Sequence, residues 1–246
     1  MMSNAALTVL AACLSLLLPA LPAAAQAARA DAPAATRTVL SVSWQAGYCA
    51  ARPKSRGCAD FSAAASEARQ FSLHSLWQPR RSYCGVEASL KQQARKGKWI
   101  DLPELALADG TKARLAAAMP AVRVGLDRQQ WLRSGSCVAA SPEAYYGRSL
   151  DLLDELNASA VPALLAGKAG GEVTLSEVRA AFDAAFGNGT GERVRLSCRK
   201  AGERQMVVGL TIGLGPGEGG LAALAAASPP TRSRCTAGFT AAAQGG

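Results

Sequence analysis

Residues 38–44, TVLSVSW, alternate between polar and apolar side chains. A period of two predicts a strand with Leu40, Val42 and Trp44 on one face. The same rhythm resumes at residues 71–77, FSLHSLW. It returns in ERVRLSC, where Val194, Leu196 and Cys198 alternate with Arg193, Arg195 and Ser197. RQMVVGLTIGL follows and is apolar enough for a central strand.

Helical spacing governs other segments. TKARLAAAM, residues 111–119, predicts a helix that stops at Pro120. SPEAYYGRSLDLLDEL starts with Ser141 as N-cap and Pro142 at the first helical position, and it puts Tyr146, Leu150 and Leu153 on one face. TLSEVRAAFDAAFG has a capping box, Thr174 with Glu177. Val178, Phe182 and Phe186 form its apolar stripe, and Gly187 can end it. Residues 62–70, SAAASEARQ, also favour a helix. Residues 49–58 read as a basic loop, 80–102 as basic and loop-like, and 214–230 as a long Gly-, Ala- and Pro-rich loop. Strands and helices mingle without a regular βαβ rhythm, which predicts an α+β fold.

The first 25 residues carry no charged side chain. Their apolar run is short for a membrane span and ends in small residues, as a signal peptide does. Residues 1–25 are therefore expected to be a signal peptide, 26–36 a flexible lead-in, and 37–246 a single domain. The box LAAC at Cys13 mimics a lipidation site, but too little apolar chain precedes it. Six cysteines follow the leader: Cys49, Cys58, Cys84, Cys137, Cys198 and Cys235. An even number in an exported chain predicts three disulfides in an oxidising compartment, periplasmic or extracellular, with no membrane attachment after cleavage. The spacing leaves their pairing open. With no C-x-x-C and no His/Cys cluster, neither a metal nor a cofactor is expected.

The chain has 27 Lys and Arg against 18 Asp and Glu, a net charge of +9. Residues 50–100 contain ten of those cations and only three acids. Such an excess attracts polyanions, or it keeps a surface solvated. His74 is the sole histidine. Between apolar neighbours it is either a satisfied core residue or part of an active site. Trp77 is open to the same two readings, core packing or stacking on a base. Arg133 suits a salt bridge or a phosphate.

Four segments, in order, favour the active-site reading of His74 and leave both readings of Trp77 and Arg133 open. They are SVSWQAGYC (41–49), FSLHSLWQP (71–79), MP (119–120) and LDRQQWLRSGSC (126–137). Together they resemble the T2 family of secreted acid ribonucleases, the bacterial periplasmic branch in particular. The likeness continues through WIDLPELAL (99–107), the helix bearing Tyr145 and Tyr146, and VRLSC (194–198). It implies an antiparallel central sheet flanked by helices, a monomer, and disulfides Cys49–Cys58, Cys84–Cys137 and Cys198–Cys235. It also implies RNA cleavage without a metal, by attack of the ribose 2′-hydroxyl on the adjacent phosphorus to leave a 2′,3′-cyclic phosphate. By the same resemblance, His74 is the general acid and Trp77 the base-stacking residue.

The second segment departs from the family pattern H-E-W-x-K-H-G-T-C. Gln129 stands at the phosphate-binding histidine, Gln130 at the catalytic glutamate, Arg133 at the lysine and Ser134 at the general-base histidine. A serine hydroxyl is far too weak a base near neutral pH to replace imidazole. The reading is RNA or nucleotide binding kept by Gln129, Arg133 and the basic stretch, with cleavage severely weakened or lost. Two alternatives stand beside it. One is an active endoribonuclease with Asp127 or Glu143 as a relocated base. The other is a non-catalytic binding protein with a non-RNA partner. Asn157 and Asn188 begin glycosylation sequons, and the bacterial look of the Ala-rich leader makes their modification unexpected.

Overall fold

The computed structural model describes residues 36–59, 61, 62 and 68–241. The expected signal peptide lies outside these residues, as does the lead-in apart from Thr36. Five strands of one sheet follow the order β2-β1-β5-β6-β3, and β4 also pairs with β5. The strands are β1 (Thr38–Ser43), β2 (Ser72–Trp77), β3 (Glu172–Thr174), β4 (Val194–Ala201), β5 (Arg204–Leu214) and β6 (Ala237–Phe239). β1–β2, β1–β5, β4–β5 and β3–β6 are antiparallel. One parallel bridge, Met206 with Phe239, joins β5 to β6. The antiparallel expectation thus describes every pairing but one. As its apolar run predicts, β5 lies in the middle of the sheet.

The helices are α1 (Gln45–Ala51), α2 (Ala88–Arg95), α3 (Asp109–Ala118), α4 (Leu126–Arg133), α5 (Pro142–Asn157), α6 (Ala160–Gly167), α7 (Leu175–Phe186) and α8 (Leu221–Ala226). α5 starts at Ser141, whose hydroxyl accepts from the Ala144 N–H, and α7 carries the full Thr174–Glu177 capping box. The buried stripe of α5 (Tyr146, Leu150, Leu153) joins Val178 and Phe182 of α7 and Leu40, Val42, Leu210 and Ile212 of the sheet in one core. Burying one such aliphatic or aromatic side chain stabilises the fold by about 1.5–3 kcal/mol. Gly209 lets β1 and β5 approach: its φ is 155°, and a Cβ there would lie 2.1 Å from the Val42 carbonyl oxygen.

Several elements differ from the sequence expectation. α1 lies partly inside the expected basic loop, and α2 lies within the segment expected to be loop. α2 is short, and its apolar face is little more than Leu90 and the buried Ala94, too few positions to stand out among polar neighbours. α8 occupies part of the Gly/Ala/Pro-rich loop, where alanines and two leucines suffice for six residues of helix. The helix expected over residues 62–70 falls partly outside the described residues, and residues 68–70 form turns. Three disulfides close Cys49–Cys58, Cys84–Cys137 and Cys198–Cys235.

Candidate active site

β1 and β2 keep register up to Ser41–Ser75, and the next pair is Val42–Leu73. His74 is the residue left over, so it forms a β-bulge. Bulges re-aim side chains and break strict alternation. Leu73 and Leu76 can therefore both enter the core although they are three positions apart, an odd spacing that would put them on opposite faces of a regular strand, while His74 is turned outward and exposed.

Helix α5 holds this edge strand in place. The Tyr145 hydroxyl accepts from the Leu76 N–H at 3.0 Å and donates to the Leu76 carbonyl at 2.9 Å. The Asn157 carboxamide does the same for Phe71, accepting from its N–H and donating to its carbonyl, both at 2.9 Å. Both contacts satisfy edge backbone groups that lack a strand partner. Asn157 is thus committed to the fold.

Helix α4 supplies the opposite wall. Gln130, Arg133 and Ser134 sit at spacings of three and four residues, so they share one helix face. The Ser134 hydroxyl donates to Gln130 Oε1 at 3.3 Å. Gly135 then lets the chain turn, because a Cβ there would lie 2.5 Å from the Trp131 ring and 3.0 Å from that of Tyr145. The loop after β2 closes the rim. Arg80 and Tyr83 adopt left-handed backbone, with φ of 63° and 56°. Tyr83 N–H donates to the Arg133 carbonyl at 2.9 Å, and Cys84 is bonded to Cys137 just beyond α4. The Tyr83 ring also faces Lys91 and Arg95, at 5.6 and 5.7 Å from the ring centroid.

Between these walls is a cleft of about 620 Å³. His74, Trp77, Gln130, Arg133 and Ser134 all line it. Sequence reasoning did not single out Gln78, Arg80 and Arg81 of the rim, or Ser41 and Thr211 of the floor, which line it too. For Ser41 and Thr211 the signal was the polar half of the strand alternation; Arg80 and Arg81 belonged to the basic excess of residues 50–100. A second pocket of about 290 Å³ opens on the other side of His74, with Tyr48, Trp99, Met119 and Pro120 in its lining.

Gln129 does not join the cleft group. It projects from another face of α4, is buried, and lines neither cavity. Its Oε1 has no protein partner among the described residues. The expected contact between Gln129 and a phosphate therefore finds no support in the lining of this cleft. The two carboxylates considered as stand-in bases also lie elsewhere. Glu143 accepts from the Thr111 hydroxyl and, more weakly in effect, from the Ala108 N–H at the start of α3, which lowers its pKa. Asp127 is buried at the start of α4, and burial raises its pKa against the lowering effect of the Arg128 N–H and charge.

His74 is exposed at the cleft surface but walled in by protein on its other sides. Desolvation there lowers its pKa below the ordinary 6.5, and the charges of Arg133 and then Arg199 lower it further. The imidazole is thus held toward its neutral form. Among the described residues, no three His, Cys, Asp or Glu side chains cluster as a metal site.

A helix-backed, mostly antiparallel sheet with three disulfides and a cleft on its bulged edge strand defines the chain as a disulfide-bonded α+β protein. More narrowly, the chain belongs to the Ribonuclease T2 family, which matches residues 36–216. It is similar to Ribonuclease I of Escherichia coli (strain K12), with 27% identity over 186 residues that span 66% of this chain and 69% of the relative. Among solved structures it resembles RNase NT in complex with 5′-AMP, with a TM-score of 0.55 and 16% identity over 84% of this chain and 97% of that one. The self-incompatibility-associated SF11-RNase of Nicotiana alata gives 0.53 and 14%, over 83% and 96%. At these identities the structural likeness speaks for the fold.

Proposed function

We propose that this chain is an exported Ribonuclease T2 protein that binds RNA or nucleotides in its cleft, while its cleavage is severely weakened or lost. Cleavage needs a base for the 2′-hydroxyl proton, an acid for the leaving 5′-oxygen, and cations for the phosphorane. One observation carries the reading. Among the described residues lining the cleft, His74 is the only group that titrates near neutrality, and no carboxylate stands beside it. One imidazole cannot be base and acid at once. Its lowered pKa also leaves it short of the proton that a general acid must give near neutral pH.

Binding makes no such demand. Arg133, Arg80 and Arg81 supply charge, and Gln130 and Ser134 supply hydrogen bonds. Trp77 is half-buried at the cleft, with ring surface left for stacking on a base. The pocket beyond His74 offers Tyr48, Trp99 and Met119 to a neighbouring base, which would put the phosphate between them at His74. Three disulfides support a periplasmic or extracellular site of action. The similarity to Ribonuclease I supports the bacterial branch.

The test is to incubate purified protein with RNA and assay cyclic-phosphate ends, alongside binding at several salt concentrations. The expected result is salt-sensitive binding with few or no cyclic ends. Turnover equal to that of a relative with both histidines would refute the impairment. Binding that ignores salt would favour a non-RNA partner.

A further inference from the structure

The cleft floor is one polar row across four strands. Ser75 of β2 pairs with Ser41 of β1, Ser41 with Thr211 of β5, and Thr211 with Arg195 of β4. Directly paired residues project from the same face of a sheet. Ser75, Ser41 and Thr211 line the cleft, so Arg195 extends from the cleft face one strand beyond its edge. Along β4, alternation puts Arg195, Ser197 and Arg199 on that face, while Val194 and Leu196 are buried on the other. Both arginines are exposed. Among the described residues, neither takes part in an ion pair. The charge of Arg199 is felt at His74, so the two belong to one electrostatic field.

We propose that β4 carries a further phosphate-binding subsite, in which Arg195 and Arg199 hold the backbone of a single-stranded nucleic acid as it leaves the cleft across the open face of the sheet. The proposal rests on the reading of the cleft as a nucleic-acid site and sets the length of ligand it takes. From β2 to β4 is three strand spacings, about 14 Å. That distance is wider than one phosphate group and calls for a ligand longer than a dinucleotide. Guanidinium groups on either side of Ser197 along the exposed face of β4 suit phosphate oxygens, which accept two parallel N–H bonds.

Deoxyoligonucleotides test this cleanly, because they lack the attacking 2′-hydroxyl and cannot be turned over. A deoxydinucleotide and a deoxyoctanucleotide of the same bases are titrated into wild-type protein and the Arg195→Gln/Arg199→Gln variant from low to physiological salt. Wild type should bind the octamer more tightly and with the steeper log–log salt dependence. In the variant the octamer slope should become shallower by roughly 0.7 for each phosphate that an arginine no longer neutralises, about 1.4 for two. Arg195→Lys/Arg199→Lys should restore most of it. An unchanged slope in the Gln variant, with octamer binding intact, would overturn the subsite and leave the cleft reading standing. If wild type binds neither ligand, both fall. Circular dichroism of the variants confirms that the exposed substitutions leave the fold unaltered.

Discussion

The Tyr145 hydroxyl closes both hydrogen-bonding groups of the Leu76 backbone, at 3.0 and 2.9 Å. Leu76 lies between Ser75 and Trp77, both of which line the cleft. A core helix therefore sets the position of the strand that carries the site. Tyr145→Phe keeps the ring but strands a buried N–H and a buried carbonyl. Each such orphan costs about 1–3 kcal/mol. The expected outcome is a drop of roughly 2 kcal/mol or more in unfolding free energy, read by denaturant titration. Nucleotide binding should weaken as well, because Trp77 loses its anchor. A Phe variant as stable as wild type would show that water or a strand shift replaces the tyrosine.

The disulfides should rank by the loops they close. Sequence separations are 53 for Cys84–Cys137, 37 for Cys198–Cys235 and 9 for Cys49–Cys58. Chain entropy then gives about 4 kcal/mol for the two long loops, Cys84–Cys137 slightly the larger, and about 2.7 for the short one. Paired Cys→Ser variants, compared by denaturant midpoints, should follow that order. Cys84–Cys137 also ties the cleft rim to the end of α4, so its removal should weaken nucleotide binding more than removal of Cys49–Cys58.

Legibility in the sequence followed the physics of each segment. The strands and the helices α3, α5 and α7 were readable because their apolar positions repeat over several turns or pleats and their caps carry specific side chains. α2 and α8 were not, because two turns with one buried residue, or six residues made mostly of alanine, are too short for a period to stand out. The site was readable in type but not in direction. LDRQQWLRSGSC names a helix face only once the phase of α4 is known, and that phase sets Gln130, Arg133 and Ser134 along the cleft wall and Gln129 away from it. The bulge at His74 was hidden because FSLHSLW looks like an unbroken strand. The pairing register with β1, and the simultaneous burial of Leu73 and Leu76, reveal the extra residue.

A sole histidine gives a single pair of imidazole C–H resonances, so His74 can be titrated by proton NMR without assignment to a residue. Its midpoint should fall below 6.5. Arg133→Gln should raise it, and Arg199→Gln should raise it by less, in the order of their influence on the ring. Saturating inorganic phosphate should also raise it, since an anion offsets the Arg133 charge. The sign for stability follows from linkage. The folded imidazole resists protonation, so its contribution is complete above pH 6.5 and is lost as pH falls through the lowered folded value. A midpoint at or above the ordinary value, unmoved by either arginine, would remove His74 from the cationic cleft.

Restoring the missing chemistry is the most direct probe of whether the scaffold remains that of a nuclease. Gln130 and Ser134 share a face of α4 and line the same cleft as His74. Gln130→Glu with Ser134→His would put a carboxylate and a second imidazole where the family pattern has them, next to Arg133. The new imidazole could take the 2′-hydroxyl proton, leaving His74 to serve the 5′-oxygen. A general acid or base contributes roughly 10²–10⁴ in rate, so the double variant should cleave RNA at least about a hundredfold faster than wild type. Ser134→His alone should recover part of that gain, and Gln130→Glu alone little, because a carboxylate without the imidazole leaves the proton acceptor missing. The readout is formation of 2′,3′-cyclic phosphate ends, with the rise abolished by His74→Ala in the same background. A folded, nucleotide-binding double variant that stays inert would mean that α4 and β2 no longer hold their side chains at cleaving distance.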